Sequence, residues 1–427
     1  MKRAARGGEI PHGAAARESL VELRELAQSA GARVMGSRLQ MRDSLDSATL
    51  VGRGMLADLK KESERLGADL VIVDRNLSPT QHRNLEREID LPVIDRTQLI
   101  LDIFARHAHS REGQLQVELA QLNYLLPRLA GSKRELSRLG GGIGTRGPGE
   151  QKLETDRRRI RDRVRKIGQS IETVRRQRAL RRRARQAVPL GTVALVGYTN
   201  AGKSTLFNAL TKADVLTSPK MFATLDPTIR SLRLGPRRRV LISDTVGFIR
   251  DLPSDLIAAF RATLEEVQEA ALIVQVTDIS NPAHAEQDAE VEKVLSALGV
   301  TDRPRLKVFN KIDRLSVQDL SALRESLGKE RDEAVHPKVL VSALTHEGFE
   351  DLRQQIELAM PIDPLVSRRL SVPLSNGREL AMVYACGRVL RSELHDDHMQ
   401  LDAELPESLA IRLEAFTVHA KADQASA

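Results

Sequence analysis

The chain has 427 residues, too many for one ordinary hydrophobic core, so two to four domains are expected. A hydrophobic content of 41% supports globular folding, and the single cysteine, Cys386, excludes an internal disulfide and points to a reducing compartment. The net charge is +8, Trp is absent and only 3% of residues are aromatic, which argues against a surface built to stack single-stranded bases. At the N-terminus, "MKRAARGGEIPHG" is basic but is followed by no apolar stretch, so it does not read as a signal peptide. The longest apolar runs, such as "ALIVQV", are far short of a membrane span, and a cytoplasmic protein is expected.

Residues 1–112 alternate helix and strand signals. "SLVELRELAQSAG" and "MLADLKKESERLG" have helical spacing closed by Gly, and "SPTQHRNLEREI" opens with a Ser-Pro helix start. "ADLVIVD" and "LPVID" are short apolar strands, so a small α/β unit with parallel strands is expected. Residues 113–187 lose the strand signals. Two helical patterns of similar length flank a glycine-dense loop at 140–150, "GGGIGTRGPGE", which predicts an antiparallel hairpin. In the second helix Leu153, Ile160, Val164, Ile167, Ile171 and Val174 form a narrow apolar stripe. Fifteen Lys/Arg stand against four acids between Lys152 and Arg185. That segment is therefore +11, and the rest of the chain is close to neutral.

Residues 188–361 resume the α/β alternation, with strands legible at Thr192–Val196, Val240–Ser243, Leu272–Thr277, Leu306–Phe309 and Val339–Val341. Residues 362–427 read as a small α+β domain: one helix, "GRELAMVYACG", holding Cys386 as a buried spacer, two strands, "RVLRSEL" and "HMQLDAEL", and a closing helix.

The chemistry lies in the third segment. "GYTNAGKST" spells G-x-x-x-x-G-K-S between a strand and a helix, so Gly197, Tyr198, Thr199, Asn200, Ala201, Gly202, Lys203, Ser204 and Thr205 form a phosphate-cradling turn. Backbone N–H groups of Asn200 to Ser204 would surround the phosphates, Lys203 would reach the β/γ oxygens, and Ser204 would hold Mg²⁺. "NKID", Asn310, Lys311, Ile312 and Asp313, follows an apolar strand. A carboxylate there accepts two hydrogen bonds from the N1–H and N2–H₂ edge of guanine, a pair that adenine does not offer, so the nucleotide is GTP. Asn310 can bond the N7/O6 side and the Lys311 stem can cover the purine. Within "VSAL", Ser342, Ala343 and Leu344 supply a backbone N–H for guanine O6.

"DTVG", Asp244, Thr245, Val246 and Gly247, places Asp244 to hold Mg²⁺ through water and Gly247 N–H to sense the γ-phosphate. In the loop Phe222, Ala223, Thr224, Leu225, Asp226, the natural second Mg²⁺ ligand is Thr224. Lys203, Thr224 and Gly247 are the catalytic candidates. Phe248 occupies the place where Ras-type GTPases carry a water-orienting Gln, and it can make no hydrogen bond to water.

These stretches, with "GTRGPGE", "LETDRRRI", "FATLDPT" and "DTVGFIRDLP", resemble the HflX family of the Obg–HflX superfamily, from about residue 30 to the end. The resemblance implies a P-loop GTPase domain with an N-terminal α/β domain, an α-helical hairpin arm and a small C-terminal α+β domain. It implies Mg²⁺-dependent GTP hydrolysis, binding to the large ribosomal subunit and its rRNA, and dissociation or rescue of stalled ribosomes by a monomer. A hydrophobic residue at Phe248 also fits the family. The chain departs from it in opening with "MKRAARGGEIPHG", which is not the apolar strand with which family members usually begin, and in reading Glu150-Gln151-Lys152-Leu153-Glu154 after Gly149.

The basic arm is then expected to meet RNA phosphate. Asn200 raises the expectation of a K⁺ ion beside the phosphates. Other readings are a GTPase of ribosome assembly, an ATP-dependent RNA helicase using the N-terminal domain, or a non-catalytic scaffold. "LVGRGMLADL" lacks the spacing of a second phosphate loop, and every nucleotide motif is intact.

Overall fold

The computed structural model describes residues 13–41, 44–129, 148–186, 191–211, 221–222, 227–234, 239–250, 261–330, 336–360 and 363–418. The N-terminal part holds α1 (Gly13–Ser29), α2 (Arg53–Leu66), β1 (Val71–Val73), α3 (Pro79–Ile89), β2 (Val93–Asp95) and α4 (Arg96–His107). As expected, β1 and β2 pair in parallel, Val71 opposite Val93. The Ser-Pro start of α3 is a full capping box: the Ser78 side chain accepts from Gln81 N, and the Gln81 side chain accepts from Ser78 N. Asp95, wholly buried at the end of β2, caps α4 through Gln98 N at 2.9 Å and also accepts from Leu77 N and from the Arg128 guanidinium. Residues 1–12, where a first strand would lie, are outside the described residues.

α5 (Arg111–Leu129) and α6 (Pro148–Gln186) pack on each other as a hairpin. They are not of similar length: α5 has 19 residues and α6 has 39. The difference follows from composition, because "RRRIRDRVRKIGQSIETVRRQRALRRRARQ" contains no helix breaker beyond one Gly. Ile160, Val164, Ile171 and Val174 are half-buried and Ile167 is buried, as the stripe predicts. A two-toothed ion pair, Arg163 to Glu118 at 2.7 and 2.9 Å, clips the helices together.

The central sheet takes β3 (Thr192–Gly197), β4 (Thr228–Arg233), β5 (Arg239–Asp244), β6 (Leu272–Asp278), β7 (Arg305–Asn310) and β8 (Lys338–Leu340) in the order β4-β5-β3-β6-β7-β8. All pairings are parallel except β4 on β5, an antiparallel edge. β4 was not among the expected strands, since only Leu232 of "TIRSLR" is buried and the run reads as polar. Strand order turns at β3, so the crevice for a ligand opens there, beyond the carboxyl ends of the strands. α7 (Lys203–Thr211), α8 (Arg261–Gln268), α9 (His284–Ala297), α10 (Val317–Glu330) and α11 (Phe349–Ala359) complete this part.

The last part contains β9 (Leu365–Pro373), α12 (Gly377–Cys386), β10 (Arg388–His395), β11 (His398–Pro406) and α13 (Glu407–Arg412). Its sheet has three antiparallel strands, with β11 central, where two strands were expected. β9, "LVSRRLSVP", hides its pattern because only Leu370 and Val372 are buried while Arg368 and Arg369 face water. Cys386 ends α12 half-buried, less enclosed than a spacer in a core would be.

Candidate nucleotide site

The motifs at Gly197–Thr205, Asp244–Gly247, Asn310–Asp313 and Ser342–Leu344 follow the carboxyl ends of β3, β5, β7 and β8, which is why residues far apart in the chain meet. The turn after β3 uses left-handed backbone at Asn200 (φ 60°) and Gly202 (φ 92°). A Cβ on Gly202 would sit 2.3 Å from Asn310 Nδ2, so no other residue fits there. Lys203 is buried, and its ammonium donates to Gly197 O at 3.1 Å and to Tyr198 O at 2.8 Å. Burial lowers it to about 8, with nearby Asp244 opposing the fall and Lys311 adding to it. A cation held this way can answer an anion that arrives beside it.

Ser204 Oγ donates to Asp244 Oδ2 at 2.7 Å. A hydroxyl and a carboxylate at one point are hard oxygen donors suited to Mg²⁺. Gly247 follows closely: a Cβ there would lie 2.9 Å from Thr199 Cα and 3.0 Å from Lys203 Nζ. Thr245 sends its hydroxyl to Leu195 O at 2.6 Å, and Val246 is buried.

On the far side Asn310 is wholly enclosed. Its Nδ2 donates to Ala201 O at 2.8 Å and its Oδ1 accepts from Ala343 N at 3.0 Å, so one side chain ties the phosphate turn to the segment after β8. Asp313 Oδ1 accepts from Ser342 Oγ at 2.6 Å, which fixes the carboxylate, and Ser342 Oγ also accepts from Thr345 N. Lys311, in the left-handed region at φ 66°, pairs with Asp278 at 2.6 Å, and Ile312 is buried beneath it. Leu344 is exposed.

Residues 17–105 match the family described as GTP-binding GTPase N-terminal, residues 107–185 the GTP-binding GTPase middle region, and residues 192–311 the 50S ribosome-binding GTPase. A GTPase HflX of Caldanaerobacter subterraneus is 46% identical over 401 residues, covering 94% of this chain and 90% of that protein. The chain belongs to the HflX family of GTPases. The HflX of Escherichia coli is 40% identical over 391 residues, 91% of this chain and 90% of that one. A solved GTP-binding protein of the archaeon Sulfolobus solfataricus, in complex with GDP, covers 81% of this chain and 96% of its own at 26% identity and a TM-score of 0.43.

In this HflX chain the predicted residues after β3, β5, β7 and β8 come together. Ala223, Thr224, Leu225 and Asp226 lie outside the described residues, as does the glycine-dense loop up to residue 147. Phe222, just before Thr224, is buried in left-handed backbone at φ 59° and meets Phe104 of α4 edge-on. Met221 N donates to Ser29 Oγ at the end of α1. Phe248 is buried too, in one hydrophobic cluster with Leu26, Ile100 and Phe104, so its ring is spent on packing.

Sequence reasoning missed Asp278, Glu22 and Arg96. Asp278 could have been found as an acid ending a buried strand. Nothing in a linear pattern ties Glu22 or Arg96 to a turn more than a hundred residues away.

The surface of α6 carries the charge. Among its described side chains the four acids are all taken: Glu154 by Arg157 and Arg161, Asp156 by Arg159, Asp162 by Arg165, and Glu172 by Arg175 and Arg176. Among the described side chains no carboxylate is within ion-pair distance of Arg158 or Lys166. Among the described residues no helix is long and apolar enough to cross a membrane.

Proposed function

We propose that the chain hydrolyses GTP, binds the large ribosomal subunit and its rRNA, and uses GTP binding and hydrolysis to dissociate or rescue stalled ribosomes. The observation that carries the guanine reading is the Asp313 carboxylate, held by Ser342 at 2.6 Å beside the enclosed Asn310. Asp313 receives the N1–H and N2–H₂ edge of the base, while Asn310 and Ala343 N line its O6/N7 side. Lys203 and the N–H groups of Asn200 to Ser204 hold the β- and γ-phosphates. Ser204 and Thr224 would hold Mg²⁺, with Asp244 acting through water, and the ion would supply positive charge that offsets charge developing on the phosphates. Gly247 N–H reads the γ-phosphate.

The Phe248 ring is buried and offers no hydrogen bond to a water, so the basal rate is slow and another group completes the site. That group comes with the ribosome, which the unneutralised cations of α6 engage through rRNA phosphates. Asn200, left-handed in the turn, would help hold a K⁺ ion beside the phosphates, which would supply positive charge there.

GTP turnover measured with and without purified large subunits, in KCl and in NaCl, tests the whole reading. Slow turnover raised by subunits supports it, and turnover indifferent to subunits overturns the ribosomal part. Equal rates in the two salts overturn the K⁺ part. Sedimentation with mature subunits rather than with assembly intermediates separates rescue from a role in ribosome assembly.

A further inference from the structure

Tyr198 is the second residue of the phosphate turn, yet its ring leaves the cradle. It is 5% exposed and packs in the cluster shared with Leu26, Ile100 and Phe104. Its hydroxyl donates to Glu22 Oε1 of α1 at 2.5 Å and accepts from Arg250 N at 2.9 Å. The other Glu22 oxygen accepts from Arg96 at 2.7 Å, and Arg96 also reaches Asp74 at 2.6 Å, which in turn accepts from Ser19. One phenol therefore joins three pieces of chain: the phosphate turn, the segment after "DTVG", and a buried ionic network of the N-terminal part.

The same segment is zipped onto the turn by its backbone. Phe248 N donates to Gly197 O at 3.0 Å and Thr199 N to Phe248 O at 2.8 Å, so the parallel pairing of β3 with β5 resumes between Tyr198 and Phe248, at the start of the turn. This zip sets Gly247 against Thr199 and Lys203, where its N–H can face a γ-phosphate. The Arg250 N bond lies at the far end of the zip, where the segment is otherwise held by the Phe248 backbone bonds, by buried Ile249 and by the Arg250 side chain on Glu286 at 3.0 Å.

We propose that Tyr198 is a positioning residue for GTP hydrolysis. Its hydroxyl pins Arg250 N to Glu22, so the N-terminal part holds Gly247 at the phosphates. The inference rests on the hydrolysis proposed above. It needs no contact between the Tyr198 side chain and the nucleotide, because that side chain faces the other way.

The test compares Tyr198→Phe, Glu22→Gln, Glu22→Ala and the Tyr198→Phe/Glu22→Ala double variant in the full chain. Tyr198→Phe keeps the ring and the turn, so GDP affinity should stay within about twofold while kcat falls about tenfold, the scale of one lost hydrogen bond. Hydrogen exchange at the Arg250 amide should quicken by a similar factor. Glu22→Gln retains an oxygen that accepts from Tyr198 and should keep kcat within about threefold. Glu22→Ala should match Tyr198→Phe, and the double variant should fall no further, since one linkage is broken twice. Unchanged kcat and unchanged Arg250 exchange in Tyr198→Phe would overturn the inference. So would equal losses in GDP affinity and kcat, which would mean that Tyr198 merely shapes the turn. A wild-type chain without GTP turnover would instead overturn the reading beneath it.

Discussion

Phe104 of α4 meets Phe222 edge-on, with ring centroids 4.6 Å apart and planes at 82°. The first is wholly buried in the N-terminal part, and the second immediately precedes the loop of Thr224. The contact therefore anchors Phe222, at the start of that loop, to α4. Phe222 holds left-handed backbone that a bulky side chain adopts only at a cost, and packing on Phe104 offsets it. Phe104→Ala is expected to destabilise the fold by about 3–5 kcal/mol. Calorimetric unfolding should show the loss, and cleavage by a protease between residues 212 and 226 should quicken. A variant with an unchanged transition would show that the pair contributes nothing.

Base choice is expected to rest on one carboxylate. Asp313→Asn removes an acceptor for guanine's N1–H and N2–H₂, and an amide pairs better with the carbonyl of xanthine. GTP affinity should fall about 10- to 100-fold and affinity for xanthosine triphosphate should rise. Ser342→Ala, which frees the Asp313 carboxylate from its 2.6 Å partner, should give a smaller loss in the same direction. Equal GTP affinity for Asp313→Asn and wild type, by fluorescence titration, would refute the assignment.

Legibility differed sharply between these two predictions. Asp313, Lys203 and Asp244 were readable because each sits in a short motif directly after an apolar strand, and parallel strands deliver their carboxyl ends to one edge. β3, β6 and β7, inside the central sheet, were readable for the same reason, since strands buried on both faces are near-continuous apolar runs. β4 and β9 were hidden because edge strands bury one or two side chains and present arginines to water. The contact of Phe104 with Phe222, and of Glu22 with Tyr198, was hidden for a different reason. It depends on how two α/β units dock, and the residues on each side look like ordinary members of their own helix or turn.

Nucleotide affinity should depend on pH through Lys203. Its ammonium lies at about 8 because burial penalises the charge. The phosphates bind the charged form, and binding them raises the lysine again. Affinity is therefore flat below that value and falls above it, approaching tenfold per pH unit. Between pH 7 and pH 9 GDP should bind about tenfold more weakly, in a range where its phosphates are already ionised. Calorimetric titration at four pH values checks this, and a flat profile to pH 9.5 would mean that the lysine stays charged without the phosphates.

The arm and the nucleotide site should separate cleanly by mutation. Every acid of α6 among the described side chains is already paired within the arm, and among those side chains Arg158 and Lys166 have no carboxylate within ion-pair distance. Changing Arg157, Arg158, Arg159, Arg181, Arg182 and Arg183 to Gln should abolish stimulation by large subunits. GTP affinity and the basal rate should stay nearly unchanged, because none of the six belongs to the nucleotide motifs. For wild type, binding to subunits should weaken steeply with salt, and the slope of log affinity against log salt should be shallower in the variant by up to about five. Lys203→Ala should do the reverse, losing nucleotide while the arm still binds RNA. If the six-fold variant is stimulated like wild type, then the charge of α6 is a solvated face and the completing group reaches the site by another route.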